Sequence, residues 1–128
     1  IISLLILLIL QKNIMNEIGE RPWGKYYVLF DEPNFKLKRI EVLPGQRLSY
    51  QYHFKRQEAW TMIQGTAKIT LDGVDKIYNY GETALIPLSA KHRIENVGED
   101  LLVFIEVQTG TYFGEDDIVR IEDDYKRD

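Results

Sequence analysis

From Lys25 onward the apolar residues recur with a period of two rather than 3.6, in short runs of Val, Ile, Tyr, Phe and Thr separated by Gly, Pro, Asn and Asp. A chain patterned this way buries one face of each extended segment and cannot pack as a helical bundle. The alternation predicts strands near 25–30, 35–42, 47–53, 58–64, 66–71, 74–79, 83–86, 92–96 and 101–108. Asp72-Gly73, set between Ala67-Ile69-Leu71 and Val74-Ile77, predicts a two-residue hairpin, because this dipeptide tolerates the positive φ of a type I′ turn. Many short strands without an intervening helix mean an all-β sandwich or barrel, and a jelly roll suits the count. Only Gly114 to Tyr125 reads as a short C-terminal helix, with Glu115, Asp116 and Asp117 favourably placed in its first turn.

The chain has 128 residues, enough for one core and no second catalytic module. With 45% hydrophobic residues it can fold alone. A formal charge of -4 and 16 dispersed Lys and Arg residues leave no basic footprint, so no nucleic-acid partner is expected. The absence of cysteine rules out disulfides and thiolate ligands, confines any metal to N and O donors, and fits a cytoplasmic protein. Residues 1–10 are almost entirely Ile and Leu, but a membrane-spanning helix needs roughly 20 apolar residues. A signal peptide would need a basic stretch before the run and small residues after it, where Gln11-Lys12-Asn13 stands. No membrane association is therefore expected. Residues 1–14 read as an upstream or non-native segment, with a truncated membrane anchor as the rival reading, and 15–128 as a single domain beginning at Met15.

Two spacings carry the chemistry. Gly45, Gln51, His53, Glu58 and Gly65 form G-x5-Q-x-H-x4-E-x6-G; Gly81, Pro87, His92 and Asn96 form G-x5-P-x4-H-x3-N. Together they resemble the two motifs of the cupin superfamily, with Gln51 in place of the first His and Ser89 in place of a Gly. Gln51 and His53 leave the same face of a strand, Tyr50 and Tyr52 the other. Glu58 follows a turn through Phe54-Lys55-Arg56-Gln57, and His92 must arrive from a more distant strand. An amide oxygen, two imidazoles and a carboxylate suit one divalent ion, with zinc favoured and Mn, Fe, Co or Ni also accommodated. Taken singly, each could be an ordinary polar residue at a strand end. Both histidines of the chain, however, fall at motif positions with the glycines in register.

A narrower resemblance runs from Arg21 to the C-terminus. Arg21-Pro22-Trp23-Gly24-Lys25-Tyr26, Phe35-Lys36-Leu37-Lys38-Arg39-Ile40, Leu48-Ser49-Tyr50-Gln51-Tyr52-His53 and His92-Arg93-Ile94-Glu95-Asn96 resemble successive blocks of the type II mannose-6-phosphate isomerases. The most specific block is Ile105-Glu106-Val107-Gln108-Thr109-Gly110 running into Gly114-Glu115-Asp116-Asp117-Ile118-Val119-Arg120. In that family the domain is often the C-terminal part of a bifunctional protein with a mannose-1-phosphate guanylyltransferase. Nothing in this chain matches the Gly-rich nucleotide-binding start of such a transferase. Departures fall at Phe54 and Lys55, where the family commonly has histidines, and at Ala59, where Glu-His-Trp has become Glu58-Ala59-Trp60.

The resemblance implies a cupin-type double-stranded β-helix and interconversion of mannose 6-phosphate and fructose 6-phosphate, feeding GDP-mannose and polysaccharide synthesis. Such a reaction moves a proton between C2 and C1, so it needs a positioned base. Glu106, an acid inside a strand of alternating apolar residues, is the candidate. The substrate's phosphate needs cations: Arg120 first, as part of the specific block, then Lys38, Arg47, Arg56 and Arg93. Arg47 shares the strand parity of Gln51 and His53. Trp23 and Trp60 read as core or rim packing rather than sugar platforms. Alternatives are another metal-dependent cupin enzyme, such as an iron dioxygenase, or a non-catalytic sugar-binding or regulatory cupin. A homodimer is expected by analogy with small cupins.

Overall fold

The computed structural model describes residues 3–6 and 17–127. The boundary expected between residues 14 and 15 lies outside them. Among the described residues, eleven strands form two antiparallel sheets that enclose one core. The first sheet runs β1(Glu17–Arg21), β2(Gly24–Asp31), β3(Phe35–Val42), β10(Leu102–Gly110), β5(Arg56–Gln64), β8(Thr83–Ile86). The second runs β11(Val119–Glu122), β4(Tyr50–Tyr52), β9(His92–Asn96), β6(Ala67–Leu71), β7(Val74–Tyr78). This is the expected all-β barrel. Asp72 and Gly73 have φ of 46° and 81°, the two positive values of a type I′ turn, and Leu71 pairs Val74 across it.

The period-two pattern does more than make strands. On β10 the inward residues are Leu102, Phe104, Glu106 and Gln108; on β5 they are Met62, Trp60, Glu58 and Arg56; on β3 they are Val42, Ile40 and Lys38. Register aligns these series: Phe104 opposes Ile40, Glu106 opposes both Lys38 and Trp60, and Gln108 opposes Glu58. β3 and β10 therefore change from apolar to polar at the same height, and β5 does so one inward residue further along, where Glu58 opposes Gln108. One end of the barrel is a hydrophobic core and the other is a nest of charge.

Three expectations need correction. A strand, β1, precedes the first one expected; its polar sequence EIGER gives little alternation because it is the outer arm of an edge hairpin. The segment 47–53 is a strand only over Tyr50–Tyr52, with an isolated bridge from Arg47 to Glu95. The C-terminal helix is a single 3-10 turn, Glu115–Asp117, followed by strand β11. Val119 and Ile121 are β-branched and the backbone of β11 pairs with β4, which outweighs the favourable acids at the turn's start.

Ser89, which stands where the cupin pattern has glycine, has φ 64° and donates its N–H to the carbonyl of His53 at 2.8 Å. An L-residue in this region costs roughly 1–2 kcal/mol, partly offset by the extra chain entropy of glycine. Ser89→Gly is expected to raise stability by about 0.5–1 kcal/mol in urea denaturation, with an unchanged m-value.

Candidate metal centre

His92 enters the barrel from β9, where it opposes Gln51 of β4 and Leu71 of β6. His53 follows β4 directly, and Glu58 arrives from β5 in the other sheet. All three are buried, at 1%, 2% and 5% exposure. The two Nε2 atoms lie 3.2 Å apart; His53 Nε2 is 3.5 Å from Glu58 Oε2, and His92 Nε2 is 3.7 Å from Glu58 Oε1. Donors bound at about 2.0–2.1 Å to one ion in tetrahedral geometry stand about 3.3–3.4 Å from one another, so the triad fits a divalent metal without rebuilding the chain.

The protonation chemistry agrees. His92 Nδ1 donates to the carbonyl of Ala90 at 2.8 Å, which fixes the tautomer and leaves the Nε2 lone pair facing the triad. Burial, with Arg56 and His92 adding to it, brings His53 down to about 2, and burial likewise lowers His92. Both imidazoles are thus neutral, the form that binds metal. Glu58 is held from two sides: Trp60 Nε1 donates to Oε1 at 3.1 Å and Arg56 Nε to Oε2 at 3.0 Å.

Gln51, Ser49 and Glu58 line one cavity of the barrel, where Gln51 Oε1 accepts a hydrogen bond from Ser49 Oγ at 2.9 Å. Glu106 is 5% exposed and accepts a hydrogen bond from the Gln108 amide. Burial and then the Glu58 carboxylate raise it to about 7, against the pull of Lys38 and Arg56. Lys38, Arg56 and Arg120 also line this cavity. Burial works against the charge on Lys38, but Glu106 and Glu115 outweigh it and its pKa is raised.

Arg47 and Arg93 are not brought to this cavity. Arg47 is paired with Asp124 (2.7 Å) and Glu122 (3.3 Å); Arg93 holds the Leu48 carbonyl and Glu122. Arg47 does not share the inward parity expected from Gln51 and His53 because the chain between it and Tyr50 is not continuous strand, whereas Ser49, next to β4, does face inward. Arg93 alternates with the inward-facing His92 and Ile94 and so lies on the outer face of β9. The altered residues also lie outside: Phe54 and Lys55 are exposed, and Ala59 points away from Glu58 and Trp60.

Sequence reasoning missed Arg21 and Arg127, which reach the cavity, and Asp117, whose two carboxylate oxygens accept the N–H groups of Phe54 and Lys55. It also missed the hydrogen bond from Trp60 to Glu58. Trp60 packs against His92 and Phe104, as expected of a core residue, and orients the triad as well. No helix among the described residues is long and apolar enough to cross a membrane.

Comparison with known proteins agrees with this architecture. The family model described as mannose-6-phosphate isomerase C-terminal matches residues 11–123. The chain is 48% identical over 107 residues to a mannose-1-phosphate guanylyltransferase of Salmonella montevideo, covering 84% of this chain and 23% of that protein. It is 44% identical over 107 residues to the alginate biosynthesis protein AlgA of Pseudomonas aeruginosa, covering 84% and 22%. The chain thus spans about a quarter or less of the length of these relatives. Among solved structures, the cupin domain of Schizosaccharomyces pombe Cnp3 matches with a TM-score of 0.66 at 17% identity, over 67% of this chain and 64% of that one, a likeness of fold.

Glu106 couples the site to pH. The folded protein keeps its proton up to about 7, whereas the unfolded chain releases it near the ordinary 4.5. Its contribution to stability is whole below about 4.5 and is lost as pH rises through about 7. In chelator, the stability of wild type relative to Glu106→Gln should fall by roughly 3 kcal/mol between pH 4 and pH 8, measured by urea denaturation. A pH-independent difference would show that Glu106 is not held protonated.

Proposed function

The chain belongs to the mannose-6-phosphate isomerase C-terminal family, a family of mannose-metabolising enzymes with the cupin fold, and from that premise we propose that it is a metal-dependent isomerase of mannose 6-phosphate and fructose 6-phosphate. The observation that carries this reading is the buried His53–Glu58–His92 triad, whose Glu58 lines a cavity that also holds a second, separate carboxyl, Glu106, and several cations.

His53, Glu58 and His92 would hold the ion, with Gln51 as the fourth ligand once its amide turns from Ser49. Zinc suits the donor set. The ion, when bound, polarises the sugar's carbonyl and so lowers the barrier to removing the neighbouring proton. Glu106 takes the proton from C2 of the aldose and returns it to C1, while the hydroxyl proton on O2 passes to O1, which gives the ketose; a carboxyl raised to about 7 is well matched to accepting and releasing a proton near neutral pH. Gln108 orients that carboxyl through its amide, and Trp60 and Arg56 fix Glu58 so that it does not compete as the base. Lys38, Arg56 and Arg120 supply positive charge for the phosphate. The product would serve GDP-mannose and polysaccharide synthesis in the cytoplasm, with the protein acting as a homodimer.

The test is a coupled isomerase assay with elemental analysis of the purified protein. One divalent ion per chain is expected, with activity abolished by chelator and restored by a single metal. His53→Ala and His92→Ala should each lose the bound ion, and Glu106→Gln should keep it while reducing kcat at least about 100-fold. Full metal content in both histidine variants would refute the proposed centre.

A further inference from the structure

Glu115 has no part in the chemistry just described, yet it reaches the most deeply buried cations of the cavity. It lies on the 3-10 turn at the rim, 47% exposed, and points one carboxylate oxygen at each of two cations. Its Oε1 is 3.2 Å from Lys38 Nζ, and its Oε2 is 3.9 Å from an Arg56 guanidinium nitrogen. Lys38 and Arg56 are 5% and 3% exposed, and cations buried so deeply require an anion beside them. Glu115 lowers that cost, and in return its own carboxyl is held below the usual range: burial opposes this, but Lys38 and Arg56 prevail.

The charge balance depends on the metal. The buried cations Lys38 and Arg56 are balanced by the carboxylates of Glu58 and Glu115, while Glu106 beside them keeps its proton up to about 7. A divalent ion on the triad would tip this balance by two positive charges, and it would draw on Glu58, the partner of Arg56 at 3.0 Å. A phosphate brings about −1.5 to −2 charge and three acceptor oxygens where Glu115 brings one charge and two oxygens. It outcompetes the carboxylate only where positive charge is in surplus.

We propose that Lys38 and Arg56 form an anion subsite for the substrate's phosphate, that Glu115 fills it as an exchangeable internal anion, and that metal loading is what lets a phosphate displace it. The identification with a sugar phosphate rests on the isomerase reading above; the subsite itself rests on the geometry. Exchange needs only rotation of the Glu115 side chain, because Asp117 anchors the turn independently through the N–H groups of Phe54 and Lys55.

Calorimetric titration with inorganic phosphate, on protein loaded with one equivalent of zinc and desalted, tests this. Glu115→Gln, checked for folding by circular dichroism, should bind phosphate at least about tenfold more tightly than wild type, and Glu115→Asp should stay near wild type. Adding Lys38→Met to Glu115→Gln should abolish the gain, and metal-free Glu115→Gln should bind at least about tenfold more weakly than its zinc form. Equal affinities for wild type and Glu115→Gln would overturn the proposal, as would a gain that survives Lys38→Met, since phosphate would then sit on the metal or elsewhere. Tighter phosphate binding in Glu115→Gln without sugar-phosphate turnover in wild type would support the subsite and refute the isomerase. Turnover with no effect of Glu115→Gln on phosphate would do the reverse.

Discussion

The structure turns on the carboxylate of Glu58. It accepts hydrogen bonds from Arg56 and Trp60 and lies within 3.7 Å of two imidazoles that belong to the opposite sheet. A carboxylate buried to this depth is tolerable only because both oxygens are engaged and a guanidinium supplies the opposite charge. That requirement ties β5 to β9 and to the end of β4 at one point. The neutral histidines follow from the same geometry, since burial and the neighbouring Arg56 both oppose a further positive charge.

Around this point the strands divide labour by height. Leu102 and Phe104 of β10, Met62 and Trp60 of β5 and Ile40 of β3 fill one end of the barrel with apolar volume. Two residues further along each strand, the same inward face carries Glu106, Glu58 and Lys38. A one-residue slip of β10 against β5 would expel Glu106 and bring Ile105 or Val107 into the cavity, so the ladder that stabilises the fold also sets the site. The apolar end stabilises the domain while the polar end departs from ordinary core composition, a division expected where function is built into a packed interior.

Much of this was legible in the sequence because it is local and periodic. Alternation marked the inward faces of β3, β5 and β10, and the spacing Gln51, His53, Glu58 placed three cavity residues around one turn. What was not legible depends on long-range partners. β11 carries too few alternating residues to show itself without β4 beside it, and acids at 115–117 imitate a helix start. Arg47 and Arg93 carry the charge a phosphate would want, but Glu122 and Asp124, distant in sequence, claim them on the outer face. Phe54, Lys55 and Ala59 looked like losses at the site; the structure turns all three outward, so the inner wall is intact.

The C-terminal segment shows why a block so far from the metal motif is bound up with it. Asp117 caps the backbone of Phe54 and Lys55, which fixes the turn between His53 and Arg56. Arg120 opposes Gln51 across the β11–β4 pair. Arg93 and Arg47 grip Glu122 and Asp124, and Tyr125 donates to Gln46, so the strand is fastened to the outer wall at several points. Exposed ion pairs of this kind contribute little individually. Their joint effect is to hold residues 115–120 against the cavity mouth, where Glu115 and Arg120 meet the charges that β3 and β5 present from within. The motif supplies the ligands; the distant block supplies the wall that makes a cavity of them.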